Sequence, residues 1–491
     1  MSEDAPVNTG AEQWQPAESA GCSVRRMQIK LHRWGGADAS RRFGDLYNLV
    51  YDPAFLRHAW QRVSSNAGAR TAGIDRATVA WIESHIGVGV FLDQLREALK
   101  QGAFRPVEVR QVMIPKAGGK LRKLGIPTVA DRVVQASLKA VLEPIFEADF
   151  LPCSYGFRPN RRAQDAIAEI HYLASDPRKY EWVLEADIQA CFDQIGHAPL
   201  LERVRRRISD KRILGLVKAF LKAGVMTTTG DREQALTGTP QGGILSPLLA
   251  NIALSALDEW FDQQWRQQMA TDYQRAKRRR NGQGNWRIIR YADDFVVMVS
   301  GERHHAEALR EQVAAVLAPL DLRLSPEKTR VVHIDEGLDF LGFHLQRRRK
   351  RGSHKRYVYT TPSKKAIKAI KDKVSAKTYR STLHLELGEV IASLNQMLRG
   401  WASYFRHAVA KQVFSLIDEH AWRRLVGWIY RKHSRISWKQ LRRRFCLPGS
   451  WTIASKGVAF TGAASVAVTR YRYRGSTIPT PWTPTLAATT G

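Results

Sequence analysis

Asp293 and Asp294 are adjacent in the segment IIRYADDFVVMV, between two runs of apolar, β-prone residues. Neighbouring carboxylates held between such strands repel each other, and burying either one needs a compensating cation. A third acid, Asp187, closes the short apolar run of VLEADIQACFD, where strand alternation turns it away from the face carrying Trp182, Leu184 and Ile188. If that strand lies beside a hairpin turning at Asp293, Asp187 and Asp293 can hold two divalent ions between them, with Asp294 nearby. Such a site suits phosphoryl transfer, one ion activating a hydroxyl and the other stabilising the leaving group of an in-line displacement. Mg2+ is the expected ion, because it favours hard oxygen ligands and keeps bonds for water and phosphate. Taken alone, Asp293 and Asp294 also read as exposed turn residues.

Other residues can serve the same chemistry. Lys116 and Arg122 flank the glycine turn of IPKAGGKLRKLGIP, a short hairpin from which two cations can close over a triphosphate. By themselves they are two exposed cations in a basic chain. The stretch TPQGGILSPLLANIAL runs from a glycine turn into an apolar helix. There Gln241, Gly242 and Gly243 leave backbone open to a base pair or sugar, and Ser246-Pro247 reads as N-cap and first helical position.

The elements that must position these residues are visible as patterns. Leu92, Leu95 and Leu99 share a helical face, and Val134, Leu138, Val141 and Leu142 do so after Asp131. Between Phe104 and Arg132, proline and glycine punctuate strands. KRRRNGQGNW (277–286) reads as a charged loop and RRRKRGSHKR (347–356) as a basic stretch before long helices. In those helices Leu394, Met397, Leu398, Trp401, Tyr404 and Phe405 form one stripe, and Trp422, Leu425, Val426, Ile429 and Tyr430 another. The expected division is a flexible leader over 1–40, an N-terminal extension and fingers over 41–130, the remaining fingers and a catalytic palm over 131–346, a basic helical thumb over 347–449 and a C-terminal tail over 450–491, either loosely packed or weakly contacting DNA through Arg470, Arg472 and Arg474.

Bulk composition agrees with a nucleic-acid partner. The chain has 491 residues with 77 Lys plus Arg against 46 Asp plus Glu, a formal net charge of +31 that favours a polyanion. Cys22, Cys153, Cys191 and Cys446 form no C-x-x-C pair, which argues against a zinc knuckle or a disulfide framework. The first residues have no apolar signal core, and no segment reads as a membrane span. A cytoplasmic, nucleoid-associated bacterial protein is the expectation.

The ordered set of segments resembles the reverse transcriptase/maturase proteins encoded by bacterial group II introns. YADD (291–294), DIQACFD (187–193), TPQGGILSPLLAN, IPKAGGKLRKLGIPTVADR, CSYGFRPNRRAQDA (153–166), NAGARTAGIDRAT (66–78), LSPEKTR (324–330) and FLGF (340–343) carry the resemblance over about residues 60–345. LNQMLRGWASYFRH (394–407) resembles the maturase, or X, domain that forms the thumb. The resemblance implies an α+β right-hand polymerase fold: fingers and a palm of antiparallel sheet flanked by helices, then a helical thumb. It implies Asp187, Asp293 and Asp294 as catalytic carboxylates, with the Ile188 carbonyl as a further ligand of two Mg2+ ions. Phe192 matches the residue that excludes a 2′-hydroxyl. Lys116, Arg122, Gln241 and Gly242 match nucleotide-contacting positions, Lys328 a late palm lysine, and Tyr291 a position near the primer terminus. The implied partners are the protein's own intron RNA, an RNA template, a DNA primer or target, and dNTPs. Arg347, Arg348, Arg349, Lys350, Arg351, Arg399 and Arg406 are the candidates for facing RNA.

Some family members end in an H-N-H endonuclease with paired cysteines. Cys446 stands alone here and no histidine follows Trp451, so that domain is expected to be absent. The competing functional readings are a splicing-only maturase with a dispensable polymerase, and a CRISPR-associated or diversity-generating reverse transcriptase. The first of the latter two usually carries a fused integrase-like domain, and the second commonly lacks an extended thumb.

Overall fold

Every residue from Phe295 to Val299 is fully buried, as a strand covered on both faces requires. In this computed structural model, which describes residues 14, 16–115, 121–227, 231–233, 237–239, 242–434, 436–475 and 478–483, that strand is central in a four-stranded sheet. The chain reaches it through helices α1 (Ala17–Ala37), α2 (Pro53–Ser64) and α3 (Val88–Lys100), then a hairpin of β1 (Val109–Pro115) and β2 (Leu121–Ile126). Helices α4 (Val129–Glu147) and α5 (Ala163–Ala174) lead to β3 (Trp182–Asp187), followed by α6 (Ser246–Gln268) and α7 (Asp272–Arg280). Strands β4 (Asn285–Tyr291) and β5 (Asp294–Ser300), helix α8 (Arg303–Leu317) and strand β6 (Arg330–His333) complete the palm. The sheet order is β4-β5-β3-β6, antiparallel throughout. A second sheet of β7 (Leu338–Phe340), β8 (Phe343–Arg349) and β9 (Arg356–Pro362) passes into the thumb helices α9 (Lys364–Lys377), α10 (Leu387–Phe405) and α11 (Lys411–Lys432). This is the right-hand α+β arrangement.

Alternation divides the palm sheet between two cores. Leu184, Phe295, Val297 and Val299 face the helices α4, α6 and α8. Val183, Ile289, Val296 and Met298 face α5, β8 and the thumb helices. Each such side chain contributes about 1.5–3 kcal/mol by burial, so a one-residue slip would cost both cores at once.

The expected leader is not loose through residue 40, because α1 begins at Ala17 and buries Ala20, Val24, Leu31 and Gly35. Pro144 inside α4 has no N–H to offer the Ala140 carbonyl, and Gln28 Nε2 donates to that oxygen at 2.8 Å. Small residues on α1 permit this approach. The tail is likewise fastened: Trp482 Nε1 donates to Gln28 Oε1 (3.1 Å) and Arg474 pairs with Asp165 (2.7 Å). Arg474 is therefore spent inside the protein. Residues 277–280, expected in a loop, are the last turn of α7. In the thumb, Leu394, Leu398 and Phe405 are buried, but Trp401 is only partly so. The fully buried tryptophan is Trp428, which the stripe reading passed over.

Candidate active site

The register of β3 on β5 places Asp187 directly opposite Asp294, while β4 on β5 places Tyr291 opposite Asp294. The chain therefore reverses through Ala292 and Asp293, a two-residue turn. Such turns want positive φ, and Ala292 takes φ +59°. Two contacts hold this alanine in a conformation it disfavours. Arg290 Nη1 donates to the Ala292 carbonyl at 2.9 Å. Gly156 lies so close that a Cβ there would sit 2.3 Å from the Ala292 nitrogen.

Acids accumulate at this end of the sheet. The Asp187 and Asp294 carboxyls share a hydrogen bond. Asp294 keeps more than a third of its surface open, yet the protein around its carboxyl pushes its pKa up, and the charges of Asp293 and Asp187 add to the shift. Asp293 is raised as well, first by burial and then by Asp187, against the opposing charges of Arg122 and Lys328. Lys328 Nζ donates to Asp187 Oδ2 at 2.5 Å, and that bond raises the lysine's pKa. Two carboxyls close enough to share a proton leave room for a cation to replace it.

The donor set suits Mg2+. Among the described residues no three carboxylate, imidazole or thiolate groups are gathered closely enough to hold a metal ion, and the carboxyls in direct contact are the two of Asp187 and Asp294. The site is an open one of few carboxylates, the kind that leaves bonds for water and phosphate. The loop pairing beside Asp187 uses its carbonyl (from Ser325 N, 2.8 Å) and the Gln189 amide (to Arg323 O, 2.9 Å), which leaves the Ile188 carbonyl outside that pair of bonds.

Behind the turn, Arg290 is completely buried and so is Asp258 on α6. Their two hydrogen bonds measure 2.8 and 2.5 Å. The remaining guanidinium donors reach Asn251 Oδ1 (3.0 Å), the Ala292 carbonyl and Ser154 Oγ (2.8 Å). Asn251 also donates to the Gly156 carbonyl at 2.9 Å, and residues 153–155 pair with the Arg290 backbone. One cation thus ties together the turn, α6 and the 153–156 segment. Sequence reading did not single out Arg290 or Asp258. The available signal was an arginine inside an apolar strand.

The other candidates are distributed unevenly. Lys116 and Gln241 lie outside the described residues. Arg122 on β2 is exposed, and its charge is felt at Asp293. Phe192 is half-buried with Phe157 edge-on at 6.3 Å, and its carbonyl accepts the Thr239 amide at 2.5 Å. Phe157, half exposed at φ +58°, is a further residue that sequence reading missed. Gly242 has φ +117°, and a Cβ there would sit 2.4 Å from the Gly125 carbonyl. Its close approach is thus to the fingers hairpin. Ser246 is already helical rather than the cap, and Gln135 Oε1 accepts the Ile244 amide (2.8 Å) just before the helix. Tyr291 is half-buried near Tyr404, and burial raises its pKa. Arg347, counted among the RNA-facing cations, is held by Glu181 and by Asp335 (Nε–Oδ1 2.6 Å). Its charge is neutralised within the fold. Arg348, Arg349, Lys350, Arg351 and Arg399 are exposed, whereas Arg406 is half-buried.

Comparison with known proteins agrees with this geometry. Residues 114–345 match the family described as reverse transcriptase (RNA-dependent DNA polymerase), and residues 367–446 match the group II intron, maturase-specific domain. Protein YkfC of Escherichia coli (strain K12) is 38% identical over 361 residues, 70% of this chain and 93% of its own. The group II intron-encoded protein LtrA of Lactococcus lactis subsp. cremoris is 32% identical over 353 residues. The chain belongs to the group II intron-encoded reverse transcriptase/maturase family. As a reverse transcriptase it is an RNA-directed DNA polymerase, and its thumb is a maturase-specific domain. The match takes in 62% of this chain and 57% of LtrA, so the longer relative is spanned only in part. The putative COX1/OXI3 intron 1 protein of Saccharomyces cerevisiae is 26% identical over 335 residues, 61% of this reverse transcriptase and 39% of that protein. No helix among the described residues is long and apolar enough to cross a membrane.

Proposed function

We propose that this reverse transcriptase/maturase extends a DNA primer on an RNA template at the Asp187–Asp294 end of the palm sheet, and that it holds its own group II intron RNA to assist splicing and support mobility. The observation that carries the catalytic reading is the register that sets Asp187 across from Asp294 with their carboxyls hydrogen-bonded. Asp187, Asp294, Asp293 and the Ile188 carbonyl are the oxygens that would hold two Mg2+ ions. Bound there, the ions supply activation of the primer hydroxyl and stabilisation of charge on the leaving pyrophosphate.

The protein's own groups do the rest. Arg122 leans its charge over the turn from the fingers hairpin, where a nucleotide triphosphate enters, and Lys116 and Gln241 complete the nucleotide contacts. Phe192, backed by Phe157, crowds the place of a ribose 2′-hydroxyl and so selects dNTPs. Tyr291 supports the primer terminus. Lys328 neutralises Asp187 until substrate arrives. Exposed cations of 348–351 and Arg399 contribute phosphate contacts to intron RNA, and a DNA target would bring the protein to the nucleoid.

Primer extension by purified protein on an RNA template with Mg2+ and dNTPs tests this, beside the Asp293→Ala/Asp294→Ala protein. Synthesis by the wild type and none by the variant is expected, with intron RNA binding and assisted splicing retained in both. No synthesis from folded wild type over several primer–template designs, with splicing intact, would instead identify a splicing-only maturase.

A further inference from the structure

Phe192 sits in a helix one turn long, Cys191–Gln194, which starts from Ala190 in the left-handed region at φ +44°. So short a helix closes few of its own hydrogen bonds and leaves its last carbonyls open. The Ala190 and Cys191 carbonyls do receive amides, from Asp193, Gln194 and Ile195. The next amide, of Gly196, donates instead to the Leu320 carbonyl at 3.1 Å. The carbonyls of Phe192 and Asp193, and that of Ile195 just beyond, therefore need partners from elsewhere in the chain.

Residues 237–239 supply all three. The Thr239 amide donates to the Phe192 carbonyl at 2.5 Å, and the Gly238 amide to the Ile195 carbonyl at 2.9 Å. The Thr237 hydroxyl donates to the Asp193 carbonyl at 3.0 Å. Gly238 has φ +83°, and a Cβ there would stand 2.6 Å from both the Phe192 and the Asp193 carbonyl oxygens. Only a glycine lets the two backbones lie this close. Its own carbonyl is held at 2.7 Å by Nε2 of His197, the first residue of the helix His197–Arg205. A carbonyl can only accept, so that nitrogen carries the proton. Four residues on, Gly242 packs as tightly on the Gly125 carbonyl of β2. The chain is thus fixed at Gly238 under Phe192 and at Gly242 against the fingers hairpin.

The opposite side of the turn is held as well. Gly196, bonded to Leu320, lies so near Asp321 that a Cβ would collide with its carboxylate. The backbone carrying Phe192 is clamped between two segments, while its ring is half-buried with Phe157 edge-on. Excluding a hydroxyl by contact demands such placement, since a shift of about 1 Å can change a rate a hundredfold. We infer that residues 237–239, locked by His197, are a brace that sets how far Phe192 reaches toward the nucleotide sugar. His197 is then a positioning residue for sugar discrimination, acting through Gly238 and the Phe192 backbone rather than on substrate. The inference rests on the reading of Phe192 as the residue that excludes a 2′-hydroxyl.

To test it, the full chain is given a primer on an RNA template that calls for one cytidine, and kcat/KM is measured for dCTP and for CTP. The two nucleotides are also compared for stabilising a complex with a dideoxy-terminated primer–template, which needs no chemistry. Phe192→Val, which widens the gate directly, should raise CTP use relative to dCTP by about 100-fold. His197→Ala, which removes one hydrogen bond of the brace, should raise it about tenfold. His197→Gln, whose amide nitrogen stands as many bonds from the backbone as Nε2, should restore the wild-type ratio. Thr237→Val should shift the ratio the same way by about threefold, and Thr237→Ser should not. If His197→Ala does not fold, Thr237→Val, which keeps the shape of the side chain, carries the test. Residues that act through one another are not additive, so Phe192→Val/His197→Ala should be no more permissive than Phe192→Val. Parallel losses for dCTP and CTP in His197→Ala and Thr237→Val, with the ratio unchanged, would make the brace a support for the fold and overturn the inference. A double variant whose effects multiply would overturn it too. In both cases a permissive Phe192→Val would leave the gate itself standing. If Phe192→Val left the ratio unchanged, or if wild type neither extended nor formed a complex with dCTP, the gate reading would fall and the brace with it.

Discussion

Two pairs of charged groups lie within a few residues of each other at the end of β4, and they are built in opposite ways. Arg290 and Asp258 are both completely buried, bonded to each other twice, with the spare guanidinium donors taken by Asn251, Ser154 and the Ala292 carbonyl. Asp187 and Asp294 share a hydrogen bond between two acids, with Asp293 adding a third charge. Their nearest cation, Lys328, is a flexible side chain 65% exposed. The first pair is closed: no partner is wanted, and its effect is to fix the turn. The second is open: burial first, and then the charge of the neighbouring acids, raises the pKa of Asp294, and Asp293 beside it is raised in the same way. A closed pair is architecture, whereas an open one is a place for a ligand.

The largest effect should come from removing the open charge. Asp293→Asn/Asp294→Asn should lower DNA synthesis by at least about 10⁴-fold, roughly 5.5 kcal/mol of barrier, measured by single-turnover primer extension. Stability should move the other way. A carboxyl whose folded pKa is raised binds more protons folded than unfolded, so stability falls as pH climbs from the ordinary carboxylate range to the raised value. Without divalent metal the wild type should therefore melt lower at pH 7 than at pH 5 by more than the variant does. An equal or steeper pH dependence in the variant would remove the contrast between the pairs.

Next in size is the closed pair. Asp258→Ala strands a buried guanidinium, which costs about 3–5 kcal/mol, and the turn should lose its alignment along with the melting temperature. Asp258→Leu/Arg290→Met removes both charges, so it should recover most of the stability and little of the synthesis, because nothing then holds the Ala292 carbonyl. If the double variant polymerised normally, Arg290 would be structural filling only.

The parts of this arrangement that sequence exposes are the local ones. Phe295–Val299 is a strand by its residues alone, and an acid at one end of such a run, Asp294 here and Asp187 on β3, marks chemistry before any partner is known. Leu92, Leu95 and Leu99 announce α3 in the same way. Register is not local: the sequence names Asp187, Asp293 and Asp294 as acids that could meet, but not that the ladder sets Asp187 directly against Asp294, because alignment is decided by burial along both strands. Helix α1 is hidden for a related reason. Its buried face is alanine, glycine and a few large residues, and its reward is a carbonyl freed by Pro144, far along the chain. Arg290 reads as an ordinary basic residue until Asp258, on another element, is placed beside it. The tail is illegible because its anchors, Asp165, Glu169 and Gln28, are all distant in sequence.

Between the two pairs stands Gly156, whose absent side chain gives the turn its room. A Cβ there meets the Ala292 nitrogen at 2.3 Å and the Tyr291 carbonyl carbon at 2.8 Å, both backbone atoms that cannot swing aside. Gly156→Ala should cost about 1–3 kcal/mol of stability by overpacking, read from denaturant unfolding, with synthesis reduced because the displaced atoms belong to the turn itself. A variant as stable and active as wild type would mean the turn tolerates a shift that the closed pair is argued to forbid.

The smallest effect is expected at Lys328, where the open pair meets its only direct cation contact among the described residues. Its pKa is raised by the bond to Asp187, so whatever stability the contact gives is fully present at neutral pH and disappears only above the ordinary lysine range. Solvent screens a side chain this exposed, which limits the contribution to about 0–1 kcal/mol. Lys328→Ala should accordingly lower metal-free stability at pH 7 by no more than that. With saturating Mg2+ the difference should vanish, since a divalent ion at the carboxylates neutralises the same charge more strongly than an ammonium can. A loss that persisted in Mg2+ would place Lys328 with the closed architecture, and the division between the two pairs would then run through Asp187 rather than beside it.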